Sequence, residues 1–211
     1  SRLTDFIPFC ALSEAKGMGI KMNKWTIRGL VFSALFAAII MALSYLQIPL
    51  QYLPITFATL GIMLAGSILG ARYGFLAVLL VVGLLAAGLP VLAGKGGTGL
   101  TRILGPSGGF IWAYPFSALL IGYFAQRIRQ DRFTFVKLVG INFLFGSLFL
   151  YPSGVAWLAY KLQFPAQKAL AVGMWPFLPG DLIKALICAG VTVAVWRVYP
   201  PERITGGSLS R

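Results

Sequence analysis

Long intervals without any charged residue constrain the fold of this 211-residue chain more than any other feature. Four such intervals lie between Arg28 and Arg72, Arg72 and Lys95, Arg102 and Arg127, and Lys137 and Lys161. A helix that crosses a bilayer needs about 20 consecutive, mostly apolar residues. Because 58% of the residues are hydrophobic and only 11% are charged, too little polar surface exists to enclose a soluble core. The sequence therefore predicts an all-α integral membrane protein.

The charge-free intervals contain five predicted transmembrane helices, at about 27–47, 54–71, 73–93, 108–127 and 136–160, and a sixth is predicted at about 179–199. The first interval is too long for one helix, and Pro49 and Pro54 in IPLQYLPI mark its division into two. The six helices form a predicted membrane domain at 25–199, which is followed by a cytoplasmic tail at 200–211. The N-terminal extension at 1–24 is either an interfacial segment or non-native sequence, and both interpretations stay open.

The distribution of basic residues predicts that both termini lie in the cytoplasm. With the N-terminus inside, thirteen of the eighteen Lys and Arg residues fall in inside segments and five in outside segments. Basic residues are enriched in cytoplasmic loops, so this ratio favours an N-in, C-in topology. On the outer side Asp181 is the one acid beside those five bases, a balance that would attract an anionic ligand. A chance escape of a few loop lysines from the inside bias is the alternative.

Composition excludes several classes of function. The net charge of +13 does not indicate nucleic-acid binding, because the basic residues cluster at the ends of apolar intervals. Histidine is absent, and Cys10 and Cys188 lie far apart, so neither a metal site nor a disulfide framework is predicted. With one acid near membrane depth, paired-carboxylate catalysis has almost no candidates either. We expect a protein that is not an enzyme.

A glycine-rich loop, GLPVLAGKGGTGLTRILGPSGGF, joins the third and fourth predicted helices. Glycine lets a backbone bend sharply and expose its amides, so Gly108 and Gly109 are candidate N–H donors to a ligand. Arg102 in the same loop is a candidate carboxylate partner, because a guanidinium suits bidentate recognition. The GxxxxGK[ST] spacing of a phosphate loop is absent. A flexible loop without a binding partner is the alternative.

The segment WPFLPGDLIKAL places two opposite charges, Asp181 and Lys184, at the start of the last predicted helix. Residues three apart share one face of a helix, so these two are predicted to pair. Charges at membrane depth cost a few kcal/mol each unless they are paired or hydrated, and they usually mark function. The expected roles are ligand carboxylate binding by Lys184 and acceptance from ligand N–H groups by Asp181. Helix capping explains Asp181 equally well but explains Lys184 poorly.

Small and aromatic residues supply weaker signals. Ala34, Ala38 and Ala42 form a smooth stripe on the first helix, and such stripes let helices approach closely in lipid. Gly66, Gly70 and Gly74 repeat the spacing, and either stripe could simply pack inside the bundle. Aromatic residues near the predicted outer ends mostly suit an interfacial belt, with one or two left to wall a pocket. Tyr151 is the aromatic residue that we include in the candidate site.

Four segments together resemble a known family: LPITFATLGIMLAGSILGARYG, GLPVLAG, GPSGGF and WPFLPGDLIKAL. In this order they are similar to the BioY family, the biotin-specific S components of energy-coupling-factor vitamin transporters. The resemblance covers residues 27–199, and the combination of GPSGG with PGDLIKA is more specific than either segment alone. Two positions depart from the family pattern, since Ala58 replaces a usual glutamine and Ser107 a usual threonine.

The resemblance implies a six-helix S-component fold that binds biotin from outside and topples in the membrane to deliver it. It implies partners, namely a transmembrane coupling subunit and two ATPases, with Ala34 and Ala38 facing the coupling subunit and Ala42 extending that stripe. It assigns ligand binding to Asp181 and Lys184 and places Arg102 near the ligand carboxylate. Biotin is then the transported ligand and no cofactor is expected.

Three functions therefore remain open for this chain. The first is a high-affinity biotin-binding subunit of an uptake transporter in the plasma membrane, energised by separate subunits because the chain carries no ATP-binding motif. The second is an S component for another small anionic vitamin, which the departure at Ala58 keeps open. The third is a membrane assembly protein without a ligand.

Overall fold

The computed structural model describes residues 26–48, 53–92, 99–128 and 131–199, and helices dominate it. The predicted extension at 1–24 and the tail at 200–211 lie outside the described residues, as does part of the glycine-rich loop. The helices are α1 (Ile27–Tyr45), α2 (Ala58–Ala86), α3 (Leu100–Ile103), α4 (Gly108–Ala125), α5 (Thr134–Phe143), α6 (Leu150–Leu162), α7 (Ala166–Gly173) and α8 (Leu178–Val198). A π-helical segment, Leu144–Leu148, joins α5 to α6, and two short antiparallel strands, β1 (Gln47–Ile48) and β2 (Ile55–Thr56), lie between α1 and α2.

Five helical stretches in the described part of the chain are long and apolar enough to cross a membrane. They are Ile27–Tyr45, Ala58–Ala86, Gly108–Ala125, Thr134–Leu162 and Leu178–Val198. The predicted all-α membrane class is thus confirmed, and four of the predicted helices agree with these bounds to within a few residues. The remaining two, at 54–71 and 73–93, fall together in α2.

Helix α2 reverses direction at Gly70, where the backbone has a φ of 80° and a ψ of −178°. Such a positive φ is readily adopted only by glycine. A Cβ placed on Gly74 would lie 2.9 Å from the carbonyl oxygen of Ala65. In a straight helix, residues nine positions apart are separated by about 13 Å, so this contact requires the chain to fold back. The two halves of α2, residues 58–69 and 71–86, therefore pack against each other as a hairpin.

Glycines and alanines allow α2 and α4 to approach at backbone distance. A Cβ on Gly66 would lie 2.8 Å from the carbonyl oxygen of Ala118, and a Cβ on Gly122 would meet the backbone of Gly70 and Ala71. Small residues favour such close contact in lipid because helix association there depends on van der Waals packing. The Gly66, Gly70 and Gly74 stripe thus packs inside the bundle.

The alanine stripe of α1 faces outward. Ala34, Ala38 and Ala42 are exposed in the isolated chain. The opposite face of α1 packs against α2, where the Ser33 hydroxyl donates to the carbonyl oxygen of Tyr73 over 3.0 Å. The two small-residue stripes therefore differ: one fills the bundle interior, and the other offers a smooth outer surface.

A polar cluster connects three helices in the bundle interior, one helical turn or more from the cavity described below. The Ser67 hydroxyl of α2 donates to Asn142 Oδ1 of α5 over 3.0 Å, and the Asn142 amide donates to the carbonyl oxygen of Leu138 over 2.9 Å. The Cys188 thiol of α8 lies 3.8 Å from Ser67 Oγ. Each of these polar groups has a partner within the protein, so the cluster links helices without requiring a ligand.

Candidate functional site

A cavity lies where the first half of α2 meets α3, α4, the π-helical segment, α6 and α8. Its apolar wall includes Leu53, Leu92, Phe110, Tyr114 and Phe177. Cavities that hold small ligands typically have mostly apolar walls and a few polar groups that fix orientation. The lining therefore suits a small, largely apolar molecule.

A buried ion pair forms the polar centre of this cavity. Lys184 Nζ lies 3.0 Å from Asp181 Oδ1, and these side chains are only 5% and 7% exposed, respectively. The ammonium also donates to Thr59 Oγ1 over 3.0 Å, and the Tyr151 hydroxyl donates to Asp181 Oδ2 over 2.6 Å. The pairing predicted from the spacing of Asp181 and Lys184 is therefore present. Lys184 is buried within the cavity wall.

The start of α8 explains why both charges face the cavity. A proline occupies one of the first two positions of the helix, where its missing N–H leaves no hydrogen bond unmade. Asp181 lies in the first turn and Lys184 follows on the same face. The residue that caps α8 is Phe177, and it has no side-chain capping bond. The Asp181 carboxylate accepts hydrogen bonds from the side chains of Tyr151 and Lys184, both of which line the cavity. Helix capping therefore does not account for its position.

Arg102 reaches the cavity from α3, which follows the glycine-rich loop. Its side chain is 5% exposed, and burial lowers the pKa of its guanidinium from the ordinary value. A guanidinium stays protonated in proteins, so the group still carries its charge. The described cavity wall thus holds two cations, Arg102 and Lys184, and one carboxylate, Asp181. The excess of one positive charge favours a ligand with a single negative charge.

Gly108 and Gly109 have a different place from the one predicted. Neither lines the cavity; a Cβ on Gly108 would collide with the carbonyl oxygen of Ile103, and one on Gly109 would collide with the Trp157 side chain. The Gly108 N–H donates to the carbonyl oxygen of Gly105 over 3.0 Å. Gly108 therefore allows α4 to start close to the end of α3, and Gly109 allows α4 to pack against α6. The other four predicted ligand-binding residues, Arg102, Tyr151, Asp181 and Lys184, meet in the cavity.

Thr59 of the cavity wall carries no signal that the sequence analysis had used. Thr59 is an unremarkable threonine within an apolar stretch, yet it binds the Lys184 ammonium from a position 125 residues away. Phe57 lies beneath the same ammonium, with Nζ 5.9 Å from the ring centroid. Its neighbour Ala58, the position that departs from the family pattern, lines the cavity as well. Only the fold brings these residues of α2 to α8.

The arrangement suits recognition of a ligand. Within the residues that the structure describes, no cluster of three or more His, Cys, Asp or Glu side chains could hold a metal ion. The carboxylate of Asp181 already accepts two hydrogen bonds, which leaves acceptor positions for a donor from a ligand. Aromatic walls, one buried carboxylate and one excess positive charge together describe a binding site for an anion with an apolar body.

Known proteins resemble the chain over most of its length. A family model described as "BioY family" matches residues 18–201. A protein named "Biotin transporter BioY" from Rhizobium etli is 42% identical over 185 residues, which cover 82% of this chain and 95% of that protein. A protein of the same name from Rhodobacter capsulatus is 38% identical over 192 residues, which cover 85% of this chain and 99% of that protein.

A solved structure shares the fold. It is described as the "Crystal structure at 2.1 A of the S-component for biotin from an ECF-type ABC transporter". The two chains superpose with a TM-score of 0.74 at 33% sequence identity, over 81% of this chain and 92% of that one. The likeness therefore extends over nearly the whole of that S component.

We expect loss of Asp181 alone to destabilise the protein, and loss of both Asp181 and Lys184 to destabilise it less. Asp181→Asn removes the charge that compensates the buried ammonium, and breaking a buried pair in this way costs about 3–5 kcal/mol. Adding Lys184→Met removes the ammonium as well and should restore much of the loss. Thermal unfolding of the detergent-solubilised protein, followed by tryptophan fluorescence, gives the comparison. Equal midpoints for the single and double variants would contradict the pairing.

Proposed function

The chain belongs to the BioY family, and we propose that it is the high-affinity biotin-binding S component of an energy-coupling-factor uptake transporter. It is a multi-pass protein of the cell membrane and a transport protein, not an enzyme. The observation that carries the proposal is the polar cluster of Asp181, Lys184, Thr59 and Tyr151 in a cavity with largely apolar walls.

The carboxylate, ureido ring and apolar body of biotin each match a group in the cavity wall. Its valeryl chain ends in one carboxylate, which matches the single excess positive charge supplied by Arg102 and Lys184. Its ureido ring offers N–H donors, and the Asp181 carboxylate can accept one of them. The aromatic rings of Phe110, Tyr114 and Phe177 suit its fused ring system and hydrocarbon chain. No cofactor is needed for such binding.

Uptake against a gradient requires partners that this chain does not contain. The solved relative is the S component of an ECF-type ABC transporter, and this chain has no ATP-binding motif. We therefore propose a transmembrane coupling subunit and separate ATPase subunits as partners. The exposed stripe of Ala34, Ala38 and Ala42 is the proposed contact with the coupling subunit, because its smooth surface allows a close helix–helix approach.

Six crossings with both termini inside are the proposed topology. The hairpin of α2 supports it, because the first half ends beside the N-terminal part of α1 and the second half returns toward its C-terminal end. Tyr73 packs against Gly29 near the start of α1, whereas the Ser44 hydroxyl near its end donates to the carbonyl oxygen of Val91. The excess of basic residues on the inside segments supports the orientation.

A second candidate ligand is another small anionic vitamin. Ala58 favours it, because this residue lines the cavity at the position where the family usually has a glutamine. A smaller apolar side chain there enlarges the cavity and removes a polar group that could contact the ligand. Competition by unlabelled vitamins against bound biotin distinguishes the two candidates.

Purified protein should bind radiolabelled biotin tightly, and Lys184→Ala or Arg102→Ala should weaken binding at least tenfold by removing a cation from the cavity. Lys168→Ala is the matched control, since Lys168 is exposed and packs on Phe164. Equilibrium dialysis measures the affinities, and mass spectrometry of the denatured protein identifies any ligand carried through purification. A midpoint of thermal unfolding that biotin leaves unchanged would favour a ligand-free assembly role.

Cysteine labelling in intact cells tests the six-crossing topology. In a background with Cys10→Ser and Cys188→Ser, a membrane-impermeant maleimide should label Leu89→Cys and Lys168→Cys from outside. Arg72→Cys, next to the hairpin turn, should react only after the membrane is permeabilised. If α2 crossed the membrane once, Leu89→Cys and Ile48→Cys, which follows α1, would react on opposite sides, whereas six crossings place both outside.

Ala38→Leu should separate ligand binding from transport. The larger side chain prevents close approach of a helix to the stripe, so biotin uptake by cells that express all subunits should fall at least tenfold. Biotin affinity of the purified chain should not change, because Ala38 is exposed and remote from the cavity. Ala194→Leu, at an exposed alanine of α8, is the control and should leave uptake intact. Equal uptake by both variants would rule out the stripe as the coupling surface.

A further inference from the structure

The π-helical segment Leu144–Leu148 places a serine in the cavity wall in an unusual state. Ser147 is 1% exposed, and its hydroxyl oxygen has no hydrogen-bond partner within the residues that the structure describes. A buried hydroxyl without a partner is unfavourable, since it has given up its bonds to water. Such a group therefore has a reason to bind a polar atom of whatever enters the cavity.

Ser147 differs from other buried serines of this chain, whose hydroxyls donate to backbone carbonyls of their own helix. The Ser33 hydroxyl donates to the carbonyl oxygen four residues earlier over 2.9 Å, and the Ser44 hydroxyl donates to the one three residues earlier over 2.7 Å. These local bonds are the usual arrangement for serine in a helix. For Ser147 the carbonyl three residues earlier belongs to Leu144, and it accepts the Phe149 N–H over 2.9 Å in the wider π turn.

Two contacts fix the π segment in place. The Ser117 hydroxyl of α4 donates to the carbonyl oxygen of Phe145 over 2.7 Å, and a Cβ on Gly146 would lie 2.6 Å from the end of the Met63 side chain. The segment is thus held from α4 on one side and from α2 on the other. Single π turns inside helices occur frequently at functional sites. Here the turn presents Ser147 one helical turn before Tyr151, on the same side of the helix.

We propose that the Ser147 hydroxyl is a further ligand-contacting group, which hydrogen-bonds the cyclic urea of the bound molecule and helps to select it. The inference rests on the proposed function of the cavity. The cations Arg102 and Lys184 suit binding of the ligand carboxylate. A neutral hydroxyl both donates and accepts, so it suits a ureido group, which carries N–H donors beside a carbonyl oxygen.

Ser147→Ala tests the proposal, with affinity and stability measured on the same protein. Because no described partner is lost, the midpoint of thermal unfolding without ligand should not fall. Affinity for biotin should fall about five- to thirtyfold, since a polar atom of the ligand is left buried without a partner. Ser33→Ala is the matched control: it removes bonds to the carbonyl oxygens of Gly29 and Tyr73, so it should lower stability and leave affinity unchanged.

Two analogues locate the contact on the ligand. Desthiobiotin keeps the ureido ring without the sulfur, and biotinamide keeps the ring without the carboxylate. Ser147→Ala should weaken both by the same factor as biotin. If Ser147→Ala does not weaken desthiobiotin binding, the hydroxyl contacts the sulfur of biotin. If it does not weaken biotinamide binding, the hydroxyl contacts the carboxylate. Either result overturns the proposal. Unchanged biotin affinity overturns it too, and a wild-type protein that binds no biotin overturns the proposed function together with this inference.

Discussion

The ion pair between Asp181 and Lys184 is the interaction on which the rest of the site depends. A charge in a medium of low dielectric constant is tolerated only with a close partner and additional hydrogen bonds. Thr59 of α2 and Tyr151 of α6 supply those bonds to the pair on α8. The need to compensate two charges therefore draws three helices together around one end of the bundle. These polar groups converge on the cavity, and apolar side chains form much of the remaining wall.

The contact between α2 and the ion pair on α8 depends on the reversal of α2 at Gly70. Because α2 turns back there, its first half can contact α8 near the cavity while its second half packs against α1. The same turn brings the backbone of α2 against Gly122 of α4. A residue with a side chain at Gly70 would need a positive φ and would meet Gln126. One glycine thus links the helix order of the bundle to the geometry of the site.

The sequence predicted those features that depend on local pattern. Charge-free intervals identified all but the last of the membrane helices, and the three-residue spacing of Asp181 and Lys184 identified their pairing. Thr59 escaped prediction because its partner lies 125 residues away, and no local pattern distinguishes it from any other threonine. The predicted division between the helices at 54–71 and 73–93 lies within two residues of the reversal at Gly70, but the backbone angles that fold the two halves against each other could not be predicted from the charge pattern. Gly108 and Gly109 belong to a recognisable motif, but the motif does not show the close contacts with Ile103 and Trp157 that require glycine there.

Buried polar groups in this chain fall into two kinds, and the difference bears on where binding specificity originates. Ser67 and Asn142 satisfy each other across helices, so their hydrogen bonds contribute to folding whether or not a ligand is present. Ser147 is buried to a similar degree, yet no described group satisfies its hydroxyl. A group of the first kind is a poor means of selecting a ligand, because the protein already supplies its partner. A group of the second kind gains its hydrogen bond only from a molecule with a matching polar atom in the right place, which makes it a source of specificity that folding alone does not use.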